Sequence, residues 1–243
     1  MCDACGGLGL IRTQAGGRWV SRACECQAAL EIAARLKRAR IPAAFADCTL
    51  ENFKVSPHTK RGLAAARKFV EEFVPGQRDL PGLLLTGTVG VGKTHLAAAV
   101  LRRLIEAKGI EGRWATVPEL LDRLRSSYDP EARESQAQIL GPIMRADLVV
   151  IDELGSSRPS DWVFETVELL IGSLYNSART VLVTSNLPNL AAGASAAAGT
   201  PQNEFARAAR AETLGDRIGA RMWSRLQQMC AAVDMSGPDW RAR

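Results

Sequence analysis

The run Gly87-Thr88-Val89-Gly90-Val91-Gly92-Lys93-Thr94 constrains this chain more than any other feature. It has G-x-x-x-x-G-K-T spacing, follows an apolar stretch at 82–86 and opens an amphipathic one at Lys93. Strand, glycine loop and helix in that order make a phosphate-binding loop. Glycines let backbone N–H groups wrap phosphate oxygens without Cβ clashes, and the helix N-terminus adds partial positive charge. In such a loop Lys93 reaches the β- and γ-phosphates and the Thr94 hydroxyl ligates Mg²⁺.

The rest of the pattern agrees with an α/β fold. Short apolar runs at 82–86, 112–117, 147–152, 180–185 and 231–235 alternate with amphipathic stretches at 93–108, 118–126, 162–176 and 204–229. That alternation is the signature of a parallel sheet covered by helices. In the third helix Val163, Val167, Leu170, Ile171 and Leu174 recur at helical spacing as a core stripe. Residues 191–202 are a low-complexity loop of small residues.

A phosphate loop predicts a second strand that carries a carboxylate. Leu148-Val149-Val150-Ile151 runs into Asp152-Glu153, which puts Asp152 at the sheet edge beside the metal. Glu153 is then placed to orient or deprotonate an attacking water. The next strand ends at Asn186, whose amide could polarise that water or the γ-phosphate.

These residues resemble a family. GTVGVGKTHLAAAV, LVVIDELGSS followed by DW, VLVTSNL and the tail DRIGARMWSRLQQMC with VDMSGPDWR look like the DnaC/DnaI-type helicase loaders and the related IstB-type transposition ATPases. The resemblance covers about residues 41–243. It implies an AAA+ P-loop core: a five-strand parallel sheet of order 5-1-4-3-2 with helices on both faces. It also implies an ATPase that is weak until it assembles, with ATP bound, into an open helical homo-oligomer on DNA. Only eight residues follow Met235, too few for the C-terminal lid of most AAA+ proteins, and this family is lidless.

By position, Lys93 and Thr94 fall on Walker A, Asp152 and Glu153 on Walker B, and Asn186 on sensor 1. The family's arginine finger falls on Arg225 in one register and Arg221 in the other, with Arg225 the better fit. Arg241 falls on the sensor 2 arginine. Tyr128, Ser160 and Trp162 resemble places where the loader branch contacts single-stranded DNA, where an aromatic could stack a base. Trp162 also reads as a core residue starting its helix. His95 reads as packing beside the site.

The N-terminal segment has a different texture. Cys2-x2-Cys5 and Cys24-x-Cys26 supply four thiols in two close pairs, the ligand set of a structural Zn²⁺, although Cys24-x-Cys26 is tighter than usual. Reduced bystander thiols and an iron–sulfur cluster are the competing readings. A helix over 28–40 follows, with Leu30, Ile32, Ala33 and Leu36 near one face. Seven basic residues stand against three acidic ones in residues 1–40, a net +4 out of +5 for the chain. Cys48 and Cys230 read as core. The expected division is therefore 1–40, a zinc-binding module plus basic helix that contacts the helicase, and 41–243, the ATPase domain.

Apolar runs stay well short of the ~18 residues needed to span a bilayer, and Met1-Cys2-Asp3-Ala4-Cys5 lacks the features of a secretory signal. A cytoplasmic protein with no membrane partner is expected. The function implied by the resemblance is loading of a replicative DNA helicase onto single-stranded DNA with ATP, Mg²⁺ and Zn²⁺. The alternatives are a transposition helper on duplex DNA, which shares the ATPase core but generally lacks the cysteines, and a nucleotide-gated adaptor without useful turnover.

Overall fold

A computed structural model describes residues 2–77, 80–194, 212–235 and 237–240. The chain begins with an antiparallel hairpin, β1 (Leu10–Ala15) and β2 (Arg18–Ala23), and helix α1 (Glu25–Ala39). Helix α2 (Lys60–Glu72) precedes β3 (Gly82–Thr86), α3 (Lys93–Lys108), β4 (Gly112–Thr116), α4 (Val117–Ser126) and α5 (Gln136–Arg145). Then come β5 (Leu148–Asp152), α6 (Asp161–Asn176), β6 (Thr180–Ser185), α7 (Leu214–Ile218), α8 (Ala220–Met229) and β7 (Cys230–Asp234).

The five later strands form one parallel sheet in the order β4-β5-β6-β3-β7. Ranked along the chain, that is the expected 5-1-4-3-2 read from the other edge. Every residue of β3, β5 and β6 is buried, because helices cover both faces. Alternation along each strand divides the core. Leu83, Leu85, Leu148, Val150 and Leu182 face α2 and α3, while Leu84, Val149, Ile151, Val181 and Val183 face α4 to α8. The stripe expected on α6 is buried at Val167, Leu170, Ile171 and Leu174, and Val163 packs at its margin. Among the described residues no α-helix follows β7.

Several expectations are corrected. The helix read over 204–229 is two helices, α7 and α8, broken at Gly219 (φ +85°), and residues 195–211 lie outside the described set, including most of the low-complexity loop. Leu30 and Ala33 face solvent on α1; its packing side is Leu36 and the fully buried Ala39. Helices α2 and α5 and the β1–β2 hairpin were not anticipated. Helix α5 hides behind Pro142 in its interior, a residue that costs about 3 kcal/mol there. A capping box between Ser135 and Gln138 starts it nevertheless.

Candidate functional site

Strand β3 delivers the phosphate loop. Gly87, Gly90 and Gly92 sit at φ +136°, +77° and +98°, conformations that glycine alone takes freely. Lys93 starts α3 with 5% exposure, and its Nζ donates to the carbonyls of Gly87 (2.8 Å) and Thr88 (2.7 Å). That posture keeps an ammonium under the loop, where phosphate oxygens would replace the carbonyls as partners.

Strand β6 lies between β3 and β5, so its end joins the two motifs. The Thr184 hydroxyl donates to Asp152 Oδ1 at 2.6 Å and accepts from the Glu153 N–H at 3.0 Å. Thr94 Oγ1 donates to the same carboxylate oxygen at 3.2 Å. Asp152 is 3% exposed, and burial pushes its carboxyl above the ordinary range against the pull of Thr184, Thr94 and Lys93. A divalent cation is the natural complement to this buried carboxylate and the Thr94 hydroxyl. Glu153 is held at φ +59°, a left-handed conformation that costs a non-glycine residue about 1–2 kcal/mol. Its exposed side chain faces a cavity of about 280 Å³ whose lining includes Lys93, Thr94 and Asn186. Lys93, Thr94, Glu153 and Asn186 thus meet at one cavity, with Asp152 buried behind Thr94.

The same cavity has walls not anticipated from sequence: Phe45, Phe53 and Lys54 on one side, and Trp240. Reciprocal bonds between Thr49 and Asn52 hold the first wall, and His95 Nε2 meets the Thr49 carbonyl at 3.0 Å while its ring stacks edge-on to Phe53. His95 therefore packs beside the site, as read. The T-x-x-N spacing at Thr49 was the available signal, as was Thr184, a hydroxyl directly after the apolar run Val181–Val183.

A C-terminal strap crosses the loop. Thr88 Oγ1 donates to the Gly237 carbonyl (2.5 Å) and accepts from its N–H (3.0 Å), and the Trp240 N–H donates to the Gly90 carbonyl (3.3 Å). A Cβ on Gly90 would lie 1.7 Å from Asp239 Oδ1, so a side chain there would displace the Asp239 carboxylate, at a φ of +77° that already favours glycine. The Thr88 side chain thus serves the strap, Val89 is exposed and Val91 packs into the core, which leaves their backbones for phosphate. Arg241 lies outside the described residues, immediately after this strap.

Neither finger candidate lines the cavity. Arg225 lies over the Tyr175 ring at 5.3 Å, and the exposed Arg221 pairs with Glu168 at 2.8 Å, both on the seam between α8 and α6. Of the expected DNA contacts, Ser160 caps α6 by accepting from the Val163 N–H at 3.3 Å. Trp162 packs on the core with the Arg125 guanidinium 4.7 Å above its ring, and Tyr128 is 63% exposed after α4.

At the other end, pairing of Leu10 with Ala23 brings the two cysteine pairs together, and the Cys24 N–H bonds to the Gly9 carbonyl at 2.8 Å. The four Sγ atoms lie within 4.8 Å of one another, with Cys2–Cys24 at 3.7 Å and Cys5–Cys26 at 3.5 Å. Tetrahedral Zn–S bonds of about 2.3 Å require sulfurs about 3.8 Å apart, so the set fits one zinc. The tight Cys24-x-Cys26 spacing works because Cys24 is extended (φ −74°, ψ 145°) and Cys26 lies in the first turn of α1. The Gly9 N–H donating to Cys5 Sγ lowers that thiol to about 7, whereas its sulfur neighbours push Cys26 up to about 12. Cys230 is buried in the core, with its thiol pushed up to about 12 by burial, and Cys48 packs at the core's margin.

Helix α1 ties this centre to the rest. It packs on β4 and α3, and Arg38 meets both Glu31 (3.0 Å) and Glu111 (2.8 Å). Arg38 chiefly holds the Glu111 carboxyl below its ordinary range.

A parallel sheet of this order, with a lysine loop after β3 and an acidic pair after β5, defines an AAA+ P-loop protein with a nucleotide-binding ATPase fold. The chain belongs to the IstB-like ATP binding protein family, whose model matches residues 36–195. It is 27% identical over 153 residues to the replicative helicase loader DnaC of Buchnera aphidicola subsp. Schizaphis graminum, covering 63% of this chain and 61% of that one. With DnaC of Escherichia coli K12 the figures are 26% over 165 residues, 67% and 65%. The chain thus spans somewhat under two thirds of the length of these relatives. Among solved structures, the DnaC helicase loader superposes with a TM-score of 0.63 at 27% identity, covering 80% of this chain and 99% of that chain. DnaI gives 0.60 at 20% identity, covering 80% and 94%, a likeness of fold. No helix among the described residues is long and apolar enough to cross a membrane.

Proposed function

We propose that this protein is an ATP-dependent loader that places a ring-shaped replicative DNA helicase onto single-stranded DNA in the cytoplasm. The observation that carries the reading is the likeness to the solved DnaC helicase loader over 99% of its chain, joined to Lys93, Thr94, Glu153 and Asn186 around one cavity.

Lys93 and the backbone of 87–92 hold the ATP phosphates. Thr94 and Asp152 hold Mg²⁺, which neutralises charge on the phosphates when bound. Glu153 orients and deprotonates the attacking water, and Asn186 polarises it. Arg225, with Arg221 as the second candidate, reaches the next subunit's site from the α8–α6 seam, which makes hydrolysis depend on the homo-oligomer. Arg241 contacts the γ-phosphate from the strap that Thr88 and Gly90 position. Cys2, Cys5, Cys24 and Cys26 hold Zn²⁺, and residues 1–40 engage the helicase. Tyr128, Ser160 and Trp162 lie along the path of the single strand, with Trp162 acting together with Arg125.

The test is capture of purified replicative helicase by the immobilised full chain with ATP, beside Cys5→Ser. Removing residues 1–40 would also strip α1 from the core, so the point variant is the cleaner control. Capture by the wild type alone supports the reading. Absence of capture, with ATP-dependent filaments on duplex DNA instead, points to a transposition helper.

A further inference from the structure

The cysteine centre fixes the base of the β1–β2 hairpin, and the strands project beyond it with a composition that zinc binding leaves unexplained. Between Asp3 and Glu25 the chain carries Arg12, Arg18 and Arg22 and no acidic residue. All three arginines are exposed, and among the described residues none forms an ion pair. The register pairs Arg12 with Ser21 and Gln14 with Trp19, so Leu10, Arg12, Gln14, Trp19 and Ser21 share one face. Trp19 is 69% exposed on that face, one diagonal step from Arg12, within reach for long side chains. Arg18, Val20 and Arg22 lie on the other face.

The apolar residues do not add up to a protein-docking patch. Leu8 and Leu10 are exposed at the base and Trp19 near the turn, with the Arg12–Ser21 pair between Leu10 and Trp19, and Val20 points the opposite way. Protein interfaces are built around a contiguous desolvated centre. An isolated exposed aromatic among unpaired cations on both faces is instead what a charged, unstacked strand requires: a ring for a base and guanidiniums for phosphates.

We propose that the β1–β2 hairpin is a binding surface for single-stranded DNA, with Trp19 stacking a base and Arg12, Arg18 and Arg22 contacting phosphates. This surface is distinct from the ATPase face carrying Tyr128 and Trp162. Only the choice of a DNA strand rests on the loader reading. The hairpin and the ATPase core are joined through α1, so one strand held at both places would be gripped across the molecule, with the outer face of α1 left for the helicase.

The experiment is anisotropy of fluorescein-labelled dT20 with the zinc-loaded full chain, with and without ATP. Trp19→Ala should weaken binding about tenfold and Trp19→Phe should restore most of it, as a stacking role demands. Replacing Arg12, Arg18 and Arg22 together by Ala should reduce the slope of log affinity against log salt by about 2, at about 0.7 per phosphate contact in a single strand. Zinc content and ATPase rate should stay at wild-type values in these variants. Unchanged dT20 binding in both variants overturns the proposal. If that result comes with lost helicase capture, the hairpin is a protein-docking surface. If Tyr128→Ala with Trp162→Ala alone abolishes dT20 binding, the ATPase face is the sole contact, and the loader reading survives without the hairpin site.

Discussion

The five-strand sheet and the two-strand hairpin hold themselves together by opposite means. In the sheet, Leu84, Leu85, Leu148, Ile151 and Leu182 are fully buried, each stabilising the fold by roughly 1.5–3 kcal/mol through apolar burial. Among the described residues of 2–24 the buried side chains are those of Cys5 and Cys24. A pair of strands without a covered face is marginal in water, so the Zn²⁺ proposed for the four cysteines would supply most of its folding energy, on the order of 10 kcal/mol. Chemistry sits on the region that apolar packing makes rigid, while the hairpin keeps both faces largely exposed among the described residues and so is freer to change.

The most direct way to break this comparison is to disable each region alone. Lys93→Ala should abolish nucleotide binding, and Glu153→Gln should retain binding while hydrolysis falls about 10³-fold, within the range for a general base. Zinc content should be unaffected in both, as read by titration calorimetry, turnover and metal analysis. Cys5→Ser is the reciprocal case. It should lose zinc and amide-exchange protection over residues 2–24, with turnover per chain within about twofold of wild type. A core that melted with the hairpin would contradict the separation drawn here.

Two smaller effects sharpen the picture inside the core. Gly90→Ala puts a Cβ where Asp239 lies, at φ +77°, and should lower turnover about tenfold and stability by about 2 kcal/mol. Asp152→Asn should abolish hydrolysis yet raise the melting temperature of the nucleotide-free protein by about 2–4 °C, the size of a 1 kcal/mol gain in a chain of this length. The sign follows from burial. A carboxyl raised above its ordinary range favours the protonated native state, so stability falls as pH climbs from the ordinary value through the raised one. The amide removes that charge and preserves an oxygen acceptor for Thr184 and Thr94. A melting temperature that fell in Asp152→Asn would mean the hydrogen bonds outweigh burial.

The five strands, the lysine loop and the Asp152-Glu153 pair were legible because each is local, a contiguous motif on a contiguous apolar strand, whereas the strand order was implied only by the family resemblance. Thr184, Phe53 and Trp240 were not, because they reach the site from segments far apart in the chain and only strand order and the strap bring them in. The Gly16-Gly17 turn at φ +59° and +78° was a readable hairpin signal, flanked by strands that pair in register. It was obscured by strands whose alternation is broken by exposure on both faces. Helix α1 misled for a related reason: its Leu30 is 63% exposed, and the side that packs is marked by the small Ala39. The cysteine spacing that looked too tight became reasonable once Cys24 was seen at the junction between extended chain and helix.

The account stands or falls on transfer of purified replicative helicase to circular single-stranded DNA by the full chain with ATP, compared with Glu153→Gln and Cys5→Ser. It predicts transfer by the wild type, capture without release by Glu153→Gln, and ATP hydrolysis without capture by Cys5→Ser. Normal transfer by Cys5→Ser, or none by the wild type, would contradict it.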